Sequence, residues 1–481
     1  MNLSSTIKSI QDIMRKDAGV DGDAQRIGQL VWLFFLKIFD DQEQELELMQ
    51  ESYRSPIPPA MRWRNWAADP SGITGEELLD FINNQLFKTL KELDISTTGP
   101  RGQVVKSVFE DAYNYMKNGH LIRQVINKIN EVNFNRSDDR HLFGDLYEQL
   151  LKDLQSAGNA GEYYTPRAVT QFMIEQLNPR LGDVVLDPAC GTGGFLTCAI
   201  DHIRKQDVKQ PDDEHRLQQS LRGVEKKPLP HLLATTNMLL HGIDVPSFLR
   251  HDNTLARPLR DYGARDRVDV IATNPPFGGT EEDGIEANFP AAYRTRETAD
   301  LFLVLIMHLL RDGGRAGLVL PDGTLFGEGV KTRIKEELLK TCNLHTIVRL
   351  PNGVFNPYTG IKTNLLFFTK GQPTESVWYW EHRYPAGVKS YNKTKPIKVE
   401  EFAELRAWWH NRQPHEQAWE VSVEDIARNN FNLDSKNPNV TDDAHKDPAE
   451  LLAAYEASLA QVQATQATLR NQLAACIMAI D

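Results

Sequence analysis

What the chain lacks narrows its class. Cysteine is scarce, with four residues in 481, and no Cys-x-x-Cys pair or His/Cys metal-binding pattern occurs. We therefore expect neither disulfides nor a structural zinc site, and no metal is assigned. No apolar run reaches transmembrane length, and the first residues include no long apolar signal segment. These absences favour a cytoplasmic protein that does not associate with a membrane.

An excess of positive charge is also missing. The formal net charge is −12, which argues against a protein that binds nucleic acid by itself through a broad basic surface. Basic residues cluster locally at Arg257, Arg260, Arg265 and Arg267, but solvated loop charges explain this cluster more simply. If nucleic acid is the substrate, we expect a partner to provide much of the affinity.

The first part of the chain, to about residue 155, has a helical pattern. Apolar residues recur at helical spacing within RIGQLVWLFFLKIFDD, too densely for a surface helix, which indicates a buried one. Further amphipathic runs cover 79–93 and 142–154. The segment 158–161 (GNAG) then forms a candidate hinge to the next region.

From about residue 165 to 370, short apolar runs alternate with helical ones. This alternation predicts an α/β fold with a mostly parallel sheet and helices on both faces. Ligands of such folds bind at the carboxyl ends of the strands. The predicted strands are 184–187, 221–225, 268–273, 315–321, 345–351 and 364–370.

The end of the chain has a coiled-coil pattern. Apolar residues step by alternating threes and fours, and only Gln466 interrupts them. Asp447 and Pro448 form a candidate start of this helix. The helix either folds back on its own domain or packs against helices of another subunit. The seam comprises Leu452, Tyr455, Leu459, Val462, Leu469, Leu473, Cys476 and Ile480.

The tetrapeptide Asn274-Pro275-Pro276-Phe277 follows the predicted strand 268–273. Two prolines fix φ and remove two backbone donors, so neighbouring carbonyls stay free. An amide beside free carbonyls can accept hydrogen bonds from an exocyclic amino group, and the aromatic ring can stack on a base. The alternative is an ordinary turn, since Pro-Pro-aromatic also occurs in turns.

A glycine-rich turn, DPACGTGGF, begins at Asp187 and follows an earlier predicted strand. Its glycines, Gly191, Gly193 and Gly194, do not match the dinucleotide fingerprint, and Phe195 stands where a Walker loop has lysine. The turn lets a ligand approach the backbone closely. A small zwitterionic cofactor suits it better than a pyrophosphate, with Asp187 bound to the ammonium group.

Two further acids follow strand ends. Glu225 closes the predicted strand 221–225, where a carboxylate typically binds two ribose hydroxyls. A solvated strand-end carboxylate is the alternative for Glu225 taken alone. Asp252 lies in HDNT at the next passage from strand to loop, and could contact the cofactor's adenine or the reacting centre.

These motifs together resemble the amino-methyltransferases that use S-adenosylmethionine. The glycine turn precedes the Asn-Pro-Pro-Phe motif in the sequence. GEYYTPR at 161–167 looks like the segment that covers the cofactor in those adenine methyltransferases whose cofactor motif also precedes their catalytic motif. With its helical beginning and its C-terminal helix, the chain resembles the modification (M) subunits of type I restriction-modification systems. Many relatives have alanine where Cys190 or Gly193 stand here.

The resemblance implies a Rossmann-like methyltransferase sheet and a role for each motif residue. Asn274 and the carbonyl of Pro275 would accept hydrogen bonds from the N6 amino group of a flipped adenine, and Phe277 would stack on the base. The implied catalytic residues are Asn274, Pro275, Pro276 and Phe277. The implied cofactor-binding residues are Tyr164, Thr165, Pro166, Asp187, Pro188, Gly191, Thr192, Gly193, Glu225, Asp252 and Asn253.

The resemblance also implies partners and domains. Two M subunits would flank a specificity subunit that reads double-stranded DNA, and a separate restriction subunit would cleave it. The short remainder after residue 370 and the acidic charge agree with recognition by a partner. The predicted domains are a helical DNA clamp (1–157), a methyltransferase domain (158–385), a mixed extension (386–446) and an assembly helix (447–481).

Other functions remain open on the residues alone. Methyltransferases of protein glutamine or of RNA can also carry Asn-Pro-Pro-aromatic, but they are usually shorter and lack the clamp and terminal heptads. An assembly subunit that binds the cofactor without methylating is a second alternative. The intact Asn274 and Phe277 argue against it.

Overall fold

The computed structural model describes residues 3–110, 112–132, 147, 151, 164–246, 248–277, 279–392, 395–439 and 448–478. The predicted hinge at 158–161, nearly all of the helix at 142–154, residues 161–163 and Asp447 lie outside this part. Within it, no helix combines the length and apolar content that a membrane crossing requires.

In the described part of the N-terminal region all regular secondary structure is helical, as predicted. α2 is buried along most of its length, because its apolar residues occur on almost every face. Beyond it, Leu78, Ile82, Leu86 and Leu90 recur every four residues and are fully buried, so this run packs one stripe into the same core. The α-helices are α1 (Leu3–Met14), α2 (Asp23–Met49), α3 (Trp63–Trp66), α4 (Gly75–Asp80), α5 (Phe87–Lys91), α6 (Ile95–Glu110) and α7 (Gly119–Ile129).

A single sheet organises the rest of the described chain. Its order is β3-β2-β1-β4-β5-β7-β6-β8-β9. The predicted strands are confirmed to within a few residues. β3 was implied only by the strand end expected before Asp252, and β8 and β9 were not predicted. The strands are β1 (Val185–Asp187), β2 (Leu221–Glu225), β3 (Leu249–His251), β4 (Val268–Thr273), β5 (Leu310–Pro321), β6 (Cys342–Arg349), β7 (Thr363–Lys370), β8 (Ser376–Glu381) and β9 (Ala418–Ser422).

Most neighbouring strands are parallel, as predicted. β3, β2, β1, β4 and β5 form a continuous parallel block. β7 then runs antiparallel between β5 and β6, and β9 runs antiparallel along β8. Since β9 lies within 386–446, the predicted mixed extension contributes an edge strand to this same sheet.

Helices cover both faces of the sheet, which the apolar run of nearly every central strand requires. One face packs on α8 and α9, and the other packs on α12 and α14. The remaining α-helices are α8 (Arg167–Leu177), α9 (Gly194–Asp207), α10 (Pro211–Ser220), α11 (Pro228–Leu240), α12 (Thr298–Leu309), α13 (Asp322–Phe326), α14 (Val330–Thr341), α15 (Ala403–Trp409), α16 (Val423–Arg428) and α17 (Pro448–Met478).

α11 joins the helical region to the sheet. Its Leu232, Leu233 and Leu239 are buried in the core of the N-terminal helices. Its Ala234 and Met238 are buried against the sheet. One helix therefore contributes to both cores and fixes the helical region against the sheet.

The C-terminal helix α17 differs from the other long helix because its apolar seam is exposed. Tyr455 is 63% exposed and Leu459, the least exposed of the seam residues described, is 43% exposed. The alternative that this helix folds back on its own domain is therefore wrong for the described seam residues, Leu452, Tyr455, Leu459, Val462 and Leu469.

Candidate active site

A crevice opens where the connections from β1 and β4 leave the sheet in opposite directions. The connection after β1 leads to α9 on one face, and the connection after β4 leads to α12 on the other. Such a switch point is where open α/β sheets bind ligands. The cavity here is lined by Thr165, Asp187, Ala189, Cys190, Gly191, Thr192, Gly194, Phe195, Glu225, Lys226, Lys227, Asn274, Pro276, Gly279, Thr280, Glu281 and Thr298.

The glycine turn after β1 forms the floor of this cavity. Gly191 and Gly193 adopt φ of 52° and 81°, in the left-handed region that favours glycine. The turn is held in place because the Cys190 amide donates to the Val224 carbonyl at 3.0 Å. The side chain of Asn237 on α11 donates to the Thr192 carbonyl at 3.1 Å. A bound group can therefore approach a rigid backbone at the N-terminus of α9.

Glu225 is bonded to the glycine turn. Its Oε2 accepts from the Gly191 amide at 2.9 Å, and its Oε1 accepts from the Lys227 amide at 2.7 Å. Burial raises the pKa of Glu225, and these two backbone hydrogen bonds oppose that shift. The carboxylate is thus a fixed acceptor on the cavity wall, and not the solvated strand-end acid that was the alternative.

Asp187 is a second buried carboxylate on the same wall. Its Oδ1 accepts from the Ala189 amide at 3.2 Å, and the residue is 1% exposed. Burial is the main cause that raises the pKa of Asp187 to about 7, and the negative charge of Glu225 contributes to this shift. Two carboxylates in one enclosed cavity favour a ligand that carries positive charge and hydroxyl donors.

Asn274 stands on the opposite wall, directly after β4. Its Nδ2 donates to Thr165 Oγ1 at 3.0 Å, so the orientation of the amide is fixed. Its Oδ1 is buried and, within the part of the chain that the structure describes, accepts no hydrogen bond. An unpaired buried acceptor costs free energy of about 1–3 kcal/mol, which identifies a position that a donor from a ligand can fill.

Phe277 lies beside this wall without lining the cavity. The ring is half-buried and meets Phe355 edge to face, with centroids 5.8 Å apart and planes at 83°. Phe355 lies in the loop after β6, so the tetrapeptide is braced from the far side of β5. The stacking of Phe277 on a base therefore stays a prediction.

The predicted residues divide into two groups. Those on the cavity are Thr165, Asp187, Gly191, Thr192, Glu225, Asn274 and Pro276. Those outside its lining are Tyr164, Pro166, Pro188, Gly193, Asp252, Asn253, Pro275 and Phe277. Of these, Tyr164 packs in the core of the N-terminal helices, and Asn253 caps a short turn through Leu255 N at 3.0 Å.

Asp252 faces a different cavity. It is exposed and lines a space between α6 and β3, together with His231 and His251. Pro188, by contrast, lies under the glycine turn, where its carbonyl accepts from Thr254 Oγ1 at 2.6 Å. The predicted cofactor contact of Asp252 therefore stays a prediction.

Sequence reasoning missed the rim of the cavity. Lys226 and Lys227 follow directly after Glu225, and Gly279, Thr280 and Glu281 follow the tetrapeptide. Proximity to two recognised motifs is the one signal that could have found them. Which loop faces which depends on the strand order, and that order cannot be read from local patterns.

Comparisons with known proteins identify the family of the chain. A model of the N-6 DNA Methylase family matches residues 138–447, and a model of the HsdM N-terminal domain matches residues 3–129. The type I restriction enzyme EcoEI methylase subunit from Escherichia coli is 64% identical over 481 residues, covering 98% of this chain and 97% of that protein. The EcoKI methylase subunit of E. coli strain K12 is 32% identical, covering 80% and 72%.

Solved structures agree as well. A modification subunit assigned to a type I restriction enzyme from Vibrio vulnificus YJ016 matches with a TM-score of 0.82 and 46% identity, covering 92% of this chain and 98% of that one. A chain from a study of type I R-M complex assembly matches with a TM-score of 0.82 and 37% identity, covering 98% of each. The resemblance inferred from the motifs is confirmed. The chain belongs to the N-6 DNA methylase family and, within it, to the methylase subunits of type I restriction enzymes.

Proposed function

We propose that this chain transfers the methyl group of S-adenosylmethionine to the N6 amino group of a flipped adenine in DNA. One observation carries the proposal: Asn274 Oδ1 is a buried acceptor that lacks a hydrogen bond within the described residues, on a cavity whose opposite wall holds two carboxylates. An exocyclic amino group is the donor that this oxygen needs.

The residues of the opposite wall fit the cofactor. Glu225 offers a fixed carboxylate to the ribose hydroxyls, and Asp187 offers one to the ammonium group. The glycine turn with Gly191 leaves room for the methionine portion near the backbone. Thr192 is proposed to contact the cofactor directly, since it lines the cavity. Tyr164, Pro166, Pro188 and Gly193 are proposed to shape the site from behind, and Asp252 with Asn253 to bound its adenine end.

The bound cofactor supplies an electrophilic methyl group, and the chain's own residues position the acceptor. Asn274 Oδ1 and the Pro275 carbonyl accept hydrogen bonds from the amino group, which withdraws its lone pair from the ring and directs it at the methyl carbon. Phe277 holds the base by stacking. Thr165 accepts from the Asn274 amide, so that the oxygen and not the nitrogen faces the substrate. Positioning provides most of the rate.

Sequence recognition is proposed to come from a partner. Relatives are named methylase subunits of type I restriction enzymes, and the net charge of −12 gives this chain little affinity for phosphates by itself. We propose that two copies flank a specificity subunit on double-stranded DNA, and that a restriction subunit joins the full complex. The exposed seam of α17 is the proposed contact with the long helices of the specificity subunit.

The division into domains follows this assignment. The helical region 1–157 is proposed to close over the duplex, and 158–385 to perform the reaction. Residues 386–446 extend the sheet by β9, and 447–481 serve in assembly. These boundaries and the cytoplasmic location stay predictions.

Replacing Asn274 tests the chemistry. In the complex with the specificity subunit, Asn274→Ala should lower methyl transfer by roughly 100-fold or more, because the acceptor of the amino group is gone. Tritiated methyl incorporation into duplex DNA measures transfer, and calorimetry measures cofactor affinity. Unchanged cofactor affinity is the expected control, and wild-type transfer by this variant would refute the assignment.

Charges on the α17 seam test the assembly. Leu459→Glu with Val462→Glu should prevent complex formation with the specificity subunit, because both side chains would be buried in a coiled coil. Ala457→Glu with Ala464→Glu adds the same charge off the seam and should leave assembly intact. Size-exclusion chromatography separates the outcomes, and assembly by the seam variant would exclude the proposed contact.

A further inference from the structure

Two loops of the cavity lining meet through ion pairs, of which the outer partner, Glu282, is exposed to solvent. Lys226 Nζ lies 3.3 Å from Glu281 Oε2 and 3.0 Å from Glu282 Oε1. Lys226 follows Glu225 at the end of β2, whereas Glu281 lies on the segment that continues from the tetrapeptide after β4. Lys226 and Glu281 both line the cavity. The pairs therefore connect the wall that bears Asp187 and Glu225, called the cofactor wall, to the wall that bears Asn274, called the target wall.

The Glu281 side of this contact is anchored. Thr298, the first residue of α12, donates through Oγ1 to the Gly279 carbonyl at 2.9 Å, and the same hydroxyl lies 3.3 Å from Glu281 Oε1. The Glu281 amide donates to the Arg296 carbonyl at 3.1 Å. The Glu281 side chain is only 11% exposed, against 73% for Glu282, so water screens the first pair less.

We propose that Lys226 and Glu281, with Glu282 outside them, form a latch that retains the cofactor and the demethylated product in the cavity. The latch rests on the proposed function. Its residues are positioning residues, because they act on ligand escape and on the loop next to Asn274 and not on the reacting atoms. Opening the mouth separates the two loops and must break the ion pairs.

A purely electrostatic role for Lys226 predicts a different outcome. Removing a cation from a cavity that also holds Asp187 and Glu225 would make its potential more negative. The sulfonium of S-adenosylmethionine would then bind more tightly, whereas S-adenosylhomocysteine, which lacks that charge, would be little affected. A latch retains both ligands by closing the mouth, so its loss accelerates the release of both.

Dissociation rates of the two ligands from the full complex distinguish these roles. In Lys226→Met, we expect S-adenosylmethionine and S-adenosylhomocysteine both to dissociate roughly two- to five-fold faster, as for loss of a partly shielded ion pair. Lys226→Arg keeps the charge and reach and should restore the wild-type rates. Glu281→Gln should have a larger effect than Glu282→Gln, because Glu281 is the more buried.

Lys340→Met is the matched control, since it breaks an exposed Lys–Glu pair on α14, far along the chain from the cavity. It should leave both rates unchanged. The latch is overturned if Lys226→Met leaves both rates at the wild-type value, or slows only the sulfonium ligand. If the wild-type complex binds neither ligand, the proposed function fails, and this outcome is distinct from failure of the latch.

Discussion

The two walls of the cavity are built on different principles. On the cofactor wall, both oxygens of Glu225 accept backbone hydrogen bonds, and the glycine turn is tied to its neighbours. On the target wall, Asn274 has a fixed nitrogen and an oxygen without a partner in the described chain. Under the proposed function, the wall that binds the cofactor is preorganised by internal bonds, whereas the wall that acts on a transient base leaves its acceptor open to the substrate.

Removing Glu225, the fixed acceptor of the cofactor wall, should have the largest effect on the binding of S-adenosylmethionine. Glu225→Ala is expected to weaken S-adenosylmethionine binding by roughly 100-fold, because hydrogen bonds to a charged group are lost and the Gly191 amide loses its acceptor. Glu225→Gln keeps one oxygen and should be intermediate. Calorimetry on the two variants measures this. Wild-type affinity in Glu225→Ala would remove Glu225 from the cofactor wall.

Titration of Asp187 should have a smaller effect on the affinity for S-adenosylmethionine. Its pKa of about 7 means that most copies are protonated near pH 6 and few near pH 8. A cationic ligand binds the deprotonated form, so affinity should rise about ten-fold from about pH 6 to about pH 8. Asp187→Asn should bind weakly with a flat profile. Affinity that is independent of pH in the wild type would contradict this pairing.

The same titration affects stability with the opposite sign. The folded-state pKa is above the ordinary value of 3.8, so the ligand-free protein holds an extra proton between about pH 4 and about pH 7. Its stability should therefore fall as pH rises through that window. Thermal unfolding of the ligand-free wild type should show this loss, and Asp187→Asn should reduce it.

Replacing Thr165 on the target wall should have the smallest of these effects. Thr165 orients the free oxygen of Asn274 through a hydrogen bond of 3.0 Å. Thr165→Val should lower kcat roughly three- to ten-fold while cofactor affinity changes little, because one partly buried hydrogen bond is lost. Thr165→Ser keeps the acceptor and should retain activity. A selective loss of cofactor affinity in Thr165→Val would instead assign Thr165 to the cofactor wall.

Much of this arrangement could be predicted from the sequence, because each motif lies next to its own strand in the chain. β2 ends at Glu225, β4 ends directly before Asn274, and the glycine turn begins at Asp187, so each motif marks its own strand end. β3 has only three residues and was given no predicted bounds, and β9, at the edge with little apolar alternation, was missed. β8 was missed as well, although it has six residues and lies between two other strands. Local pattern alone therefore does not identify every strand.

What could not be predicted depends on contacts between distant segments. Lys226 and Glu281 are 55 residues apart and meet only because β2, β1 and β4 are neighbours in the sheet. The role of Thr165 depends on a contact with Asn274 that spans 109 residues. Local patterns identify residue types with the right chemistry, whereas tertiary structure decides which of them pair.

A single-turnover measurement tests the difference between the walls most directly. The complex is first saturated with S-adenosylmethionine and then mixed with duplex DNA, so that weak cofactor binding no longer limits the rate. We predict a methyl-transfer rate within about three-fold of wild type for Glu225→Gln, and a rate lower by roughly 100-fold or more for Asn274→Ala. Equal losses in the two variants, or a wild-type rate for Asn274→Ala, would contradict the assignment of catalysis to the target wall.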